Sequence, residues 1–131
     1  MGMGSSNEIL RVLVADDELQ ICTLVRETLT QMGHFAQICH NGEEALRKFE
    51  EEGRFGLVIL DVCMPLKTGV EVIQELRGRG EGVPIVLMSS SLSEEVLISC
   101  SGFDRLAYLQ KPFSLSEFRA AVERVTRPVR I

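Results

Sequence analysis

The chain is 131 residues long, which is one domain's worth: too short for two ordinary domains, and long enough to bury a core without disulfides or a structural metal. Hydrophobic residues make up 45% and charged residues 25%, a globular mix that excludes a disordered chain, and no apolar run approaches the length of a membrane span. The 19 acidic residues outnumber the 14 basic ones, so a net charge of −5 and a pI near 5.1 leave no general electrostatic claim on DNA, RNA or an anionic membrane.

Short apolar runs alternate with longer amphipathic ones. Arg11 to Ala15 reads as a strand, and Cys22, Val25, Leu29 and Met32 then recur at three- and four-residue steps, the mark of one helix face. Gly33 stops that helix, and Phe35 to Cys39 reads as a second strand. Asn41 with Glu44 three residues on is an N-cap signature for a second helix, whose inner face carries Ala45 and Phe49. Leu57-Val58-Ile59-Leu60 is apolar on both faces, as a central strand covered by helices on both sides must be. A third helix carries Val70, Ile73 and Leu76 and breaks at Gly78, Gly80 and Gly82. Pro84 to Met88 is a fourth strand, Ser93 opens a short helix through Cys100, and Ala107 to Leu109 is a fifth strand. Ser114 and Glu117 make a capping box for the last helix, with Leu115, Phe118, Val122 and Val125 on its inner face. Five strand–helix units in strict alternation predict an α/β domain with a parallel sheet and right-handed crossovers.

The polar residues fall where the apolar runs end. The first strand ends in Asp16-Asp17, the third in Asp61, the fourth in Ser89-Ser90-Ser91, and the fifth leads through Gln110 into Lys111-Pro112. In a parallel sheet these ends share one edge, the edge at which open α/β sheets bind ligands. If the first and third strands are neighbours, Asp16, Asp17 and Asp61 converge. Two unit charges about 4 Å apart cost on the order of 4 kcal/mol at a surface-like dielectric, so the group needs a raised pKa, a cation or both. Lys111 supplies one positive charge, and an all-oxygen site suits a hard divalent ion, magnesium first. Three carboxylates, a metal, a lysine and a hydroxyl fit phosphoryl transfer, with Asp61 as carboxylate nucleophile and Lys111 and Ser89 on the phosphoryl oxygens. No Gly-rich phosphate loop accompanies them, which leaves nucleotide binding without support.

Cysteines at 22, 39, 63 and 100 form no metal-ligand spacing and read as reduced thiols of a cytoplasmic protein. Residues 1–8 read as a flexible start or cloning scar, although Met1-Gly2 with Ser6 formally fits a myristoylation pattern. The domain proper is expected over 9–126, with a tail at 127–131 and no attached output domain on that side.

Four pieces in order carry a family likeness: Val12-Leu13-Val14-Ala15-Asp16-Asp17-Glu18, Asp61-Val62-Cys63-Met64-Pro65 with Gly69, Pro84-Ile85-Val86-Leu87-Met88-Ser89, and Tyr108-Leu109-Gln110-Lys111-Pro112-Phe113. The chain resembles the receiver domain of two-component response regulators from about Arg11 to Val125, and looks most like receivers at the carboxyl end of hybrid sensor histidine kinases. The resemblance implies a single doubly wound (βα)5 flavodoxin-like domain, with a parallel five-stranded sheet of order 2-1-3-4-5. It implies that Asp61 accepts phosphate from a phosphohistidine of a histidine kinase or histidine phosphotransfer domain. It further implies that Asp16, Asp17 and Asp61 hold Mg2+ (or Mn2+), with Asp17 the more direct ligand and Cys63 contributing its backbone carbonyl. Lys111 corresponds to the phosphate-contacting lysine, followed by a cis-proline at Pro112, and Ser89 and Tyr108 stand at the hydroxyl and aromatic switch positions.

Two departures accompany the likeness. Leu106-Ala107 stand where many DNA-binding regulators carry acidic residues that form dimer salt bridges, so a monomer or weak dimer is expected, with no nucleic-acid or membrane contact by this domain. Leu66-Lys67-Thr68 replace the usual small or acidic residues of the third loop. Two rival readings are a docking-only pseudo-receiver, which would have no use for three repelling carboxylates, and a phosphohydrolase with an aspartyl intermediate. The second would place an aspartate where Cys63 stands. The expected role is therefore signalling, with no catalysis beyond the domain's own phosphorylation and dephosphorylation.

Overall fold

The structure, a computed structural model, describes residues 8–127. The expectations for the first seven residues and for the tail beyond Arg127 lie outside the described residues.

Five strands and five helices alternate: β1 (Arg11–Ala15), α1 (Leu19–Gln31), β2 (Phe35–Cys39), α2 (Gly42–Glu52), β3 (Leu57–Asp61), α3 (Gly69–Gly78), β4 (Ile85–Ser89), α4 (Glu94–Cys100), β5 (Leu106–Gln110) and α5 (Leu115–Thr126). The strands form one parallel sheet in the order β2-β1-β3-β4-β5, the doubly wound arrangement expected. Chain direction reverses its lateral course between β1 and β3, so the carboxyl ends of these two neighbours open a crevice.

Strand periodicity of two divides the core into two layers. Leu13, Ala15, Val58, Leu60, Ile85 and Leu87 pack with Ala45, Leu46 and Phe49 of α2, with Val72, Ile73 and Leu76 of α3, and with Cys100. Val12, Val14, Ile59, Val86, Met88, Ala107 and Leu109 pack on the other face with Val25 and Leu29 of α1 and Phe118, Ala121, Val122 and Val125 of α5. β3 and β4 are buried along their whole length, which is why their sequences are unbroken apolar runs.

Local chemistry fixes the helix starts. The Asn41 side chain accepts the Glu44 N–H at 2.7 Å. Ser114 and Glu117 close a reciprocal capping box, and so do Thr68 and Glu71 at the start of α3, a signature the sequence reading passed over. One inner-face assignment is corrected. Leu115, the first residue of α5, is 46% exposed, whereas Phe118, Ala121, Val122 and Val125 form the buried face. In α3 Val72, Ile73 and Leu76 are buried, and Val70, half-buried, packs against the same layer.

The departing third loop has a definite shape. Leu66 sits in the left-handed region at φ 70°, exposed, and the Lys67 N–H donates to the Pro65 carbonyl at 2.7 Å, closing a γ-turn. Lys67 is anchored to Glu75 of α3 at 2.9 Å, and its carbonyl presses against Gly42 of α2, where a β-carbon has no room.

Candidate functional site

The crevice at the carboxyl edge of the sheet gathers the polar strand ends. Asp16 follows β1, Asp61 closes β3, Ser89 closes β4, and Lys111 follows β5. Register brings them level: Ala15 pairs with Leu60, Asp61 with Met88, and Ser89 with Gln110. Backbone bonds continue past the strands, from Asp16 N–H to the Cys39 carbonyl at 3.1 Å and from Lys111 N–H to the Ser89 carbonyl at 2.8 Å.

Lys111 is the hub. Its ammonium donates to Asp16 Oδ2 at 2.9 Å and Glu18 Oε1 at 2.6 Å, and stands 3.1 Å from Asp61 Oδ1. An ammonium has three N–H donors, and three carboxylates surround it. Burial pulls the Lys111 pKa down, but the bonds to Glu18, Asp16 and Asp61 outweigh it and hold the group above its usual range. The Lys111–Pro112 peptide bond is cis.

Asp16 is wholly buried and fully engaged. Its Oδ1 accepts the Glu18 N–H at 2.8 Å, and its carbonyl accepts the Cys22 thiol at 3.2 Å. His40 Nδ1 lies 3.2 Å from the same carbonyl. Asp61 behaves differently: burial pushes its carboxyl up to about 6, against the Lys111 hydrogen bond that lowers it, with the charges of Asp16 and Asp17 adding to the rise. The site thus carries more negative charge than Lys111 neutralises.

Oxygens of Asp16, Glu18 and Asp61 lie within 4.8 Å of one another, close enough to share a cation. This donor set, all carboxylate oxygen and partly buried, fits a hard divalent ion. Sequence reasoning brought Asp16 and Asp61 into the cluster and missed Glu18. The sequence offered only the continuation of the acidic run, which does not by itself say whether Asp17 or Glu18 meets Lys111. Asp17, expected to be the more direct ligand, is exposed and stands outside this cluster among the described residues, although its charge reaches Asp61. Cys63 is exposed on the loop two residues beyond Asp61.

The Ser89 hydroxyl is buried and faces a local partner. It donates to the Ser91 carbonyl at 2.8 Å and accepts the Ser91 N–H at 3.0 Å. Tyr108, on β5, is half-buried against the core layer that includes Cys100. Gly69 completes the floor: its N–H donates to the Val62 carbonyl at 2.9 Å, and it lies directly beneath the Asp61 carbonyl.

An acidic crevice placed to hold a cation, with a largely buried lysine ammonium, at the switch point of a (βα)5 sheet, is the arrangement of a phosphoacceptor domain. The family profile of the response regulator receiver domain matches residues 12–123, and the chain belongs to that family. It is 36% identical over 120 residues to the response regulator MprA of Mycobacterium tuberculosis, covering 90% of this chain and 51% of that protein. It is 30% identical over 124 residues to the transcriptional regulatory protein RprY of Bacteroides fragilis, covering 95% of this chain and 52% of that one. The chain therefore spans about half the length of these relatives. Among solved structures, the response regulator TrrA of Thermotoga maritima, in complex with Mg(2+)-BeF, superposes with a TM-score of 0.79 at 35% identity, covering 88% of this chain and 98% of that one. Receiver domains are phosphoaccepting signalling domains of two-component systems. No helix of the described residues is long and apolar enough to cross a membrane.

Proposed function

We propose that Asp61 is the residue phosphorylated, by a phosphohistidine of a histidine kinase or a histidine phosphotransfer domain. The observation that carries this reading is the Lys111 ammonium bridging Asp16 and Asp61 across the crevice, at 2.9 and 3.1 Å. In the transfer an Asp61 oxygen attacks phosphorus, the N–P bond breaks, and the leaving ring nitrogen keeps the electron pair. Lys111 then neutralises charge spreading over the phosphoryl oxygens, and Ser89 donates to one of them. Magnesium, or manganese, when bound supplies further positive charge to those oxygens. Asp16 and Asp61 would hold it, with Asp17 and the Cys63 carbonyl in the positions that the family resemblance assigns and Glu18 at the rim.

The transmitted signal runs through Ser89 and Tyr108 to the surface of α4, β5 and α5. The domain acts as a cytoplasmic signalling module rather than a turnover enzyme, monomeric or weakly dimeric and without nucleic-acid contact of its own. Its β4 and β5 segments favour a place in the phosphorelay of a hybrid kinase. The test is incubation with acetyl phosphate and magnesium followed by intact mass. One phosphate added to the wild type and none to Asp61→Asn is expected, and a mutant that gains the same mass at a similar rate overturns the assignment.

A further inference from the structure

Glu18 has two attachments to the site, and they do different things. Its backbone N–H donates to Asp16 Oδ1 at 2.8 Å, which fixes that carboxylate and turns Oδ2 toward Lys111. Its side chain, 60% exposed, reaches back over the crevice and takes the Lys111 ammonium at 2.6 Å, shorter than either aspartate contact. The Asp16 and Asp61 side chains are 0% and 8% exposed and have little room to move. Glu18 is therefore the one partner of Lys111 that is free to stay with it or release it.

Asp16 and Glu18 each take a hydrogen bond from the ammonium and Asp61 stands in ion-pair contact at 3.1 Å, so a phosphoryl oxygen must compete with three carboxylates for Lys111. A cation drawn to the Asp16 and Asp61 oxygens removes two of the competitors. It leaves Glu18, which keeps a negative charge on the lysine when the anion arrives.

We propose that Glu18 is a positioning residue that restrains Lys111 and sets the balance between cation and phosphoryl binding. Its charge favours the cation, and its contact with Lys111 opposes the anion. This inference rests on the assignment of Asp61 and Lys111 above. It predicts effects of opposite sign, which a merely structural role would not give. Charge-assisted hydrogen bonds are roughly twice as strong as neutral ones, so Glu18→Gln weakens the hold on Lys111 without removing the backbone anchor on Asp16. Glu18→Asp keeps the charge but withdraws the carboxylate by about 1.5 Å, one C–C bond.

The experiment titrates magnesium alone, then beryllofluoride at saturating magnesium, by calorimetry on wild type and both variants. Glu18→Gln is expected to bind magnesium about threefold more weakly and beryllofluoride about fivefold more tightly, as expected for one partly exposed ion pair. Glu18→Asp is expected to match the wild type for magnesium and Glu18→Gln for beryllofluoride. Wild type that binds beryllofluoride, with Glu18→Gln indistinguishable from it, overturns this inference alone. Glu18→Asp behaving as wild type in both titrations while Glu18→Gln shifts both also overturns it, because the contact with Lys111 is then not the route. Wild type that binds no beryllofluoride overturns the Asp61 assignment and this inference with it.

Discussion

Gly69 lies so close beneath the backbone carbonyl of Asp61 that a β-carbon built on it would collide with that oxygen. The glycine opens α3 and donates to Val62, so the helix start and the end of β3 are locked together at Asp61. Gly69→Ala must push one of them away. Overpacking of this kind costs about 1–3 kcal/mol, and urea denaturation is expected to show it as a lower midpoint with little change in slope.

Asp61→Asn tests the repulsion directly. In the cation-free protein the folded Asp61 carboxyl titrates near 6, well above its unfolded range near 4. The folded state holds that proton more tightly than the unfolded chain does. The stability it contributes is present below about pH 4 and is lost as pH rises through about 6, by on the order of 3 kcal/mol. Asp61→Asn stays neutral throughout and is expected to flatten this part of the profile. Denaturation with chelator present, from pH 4 to 8, reads the difference; a mutant profile parallel to the wild type would count against it.

Asp17→Asn separates two roles for an exposed acid. If Asp17 swings in to meet the cation, the variant loses magnesium affinity at least about tenfold, more than Glu18→Gln does. A loss of only about twofold would mean that Asp17 acts through its field alone. Magnesium titration with both variants side by side decides.

Ser89→Ala removes a hydroxyl now held by Ser91 in two directions. The bond it donates to the Ser91 carbonyl must open before the Ser89 hydroxyl can donate to a phosphoryl oxygen. The variant is expected to accept phosphate at Asp61, more slowly, yet to transmit it poorly. NMR of the α4–β5 region with and without beryllofluoride should show attenuated shifts at Leu97, Leu106 and Tyr108. Full wild-type shifts would remove Ser89 from the coupling.

Thiol labelling offers an independent check on the fold. Burial pushes the Cys39 thiol up to about 12 and Cys22 to about 11, and Cys100 is raised for the same reason, while Cys63 is exposed. Native protein at pH 8 should incorporate one equivalent of a maleimide, at Cys63, and four after denaturation. Fast labelling at Cys39 would contradict the packing beside β1.

Much of this was legible in the sequence because burial on both sides leaves a strand no freedom in composition. Leu57 to Leu60 and Ile85 to Met88 announce themselves, and each ends in the polar residue that serves the site. Asn41 and Ser114 marked their helices for an equally local reason, a side-chain oxygen meeting an orphan N–H. What escaped depended on three dimensions. Leu115 satisfies the helical spacing but is exposed at the first position of α5, and periodicity alone does not record how far along a helix its packing begins. Glu18 is 93 residues from Lys111 in the chain, so its ion pair was visible only once β1 and β5 had been placed on the same edge. The order of the acidic run likewise does not say which of Asp17 and Glu18 turns inward.

The position of β3 in the middle of the sheet divides the site in time as well as in space. Backbone amides of a central, fully buried strand exchange with solvent only when the whole domain opens, whereas those of edge strands exchange through local fraying. Asp61 is mounted on the slow part. Lys111 hangs from β5, at the sheet's edge, behind a strand that can loosen while β3 stays closed. Asp61 is thus carried by a strand whose opening is expected to need global unfolding, and Lys111 follows an edge strand, where local fraying is expected first.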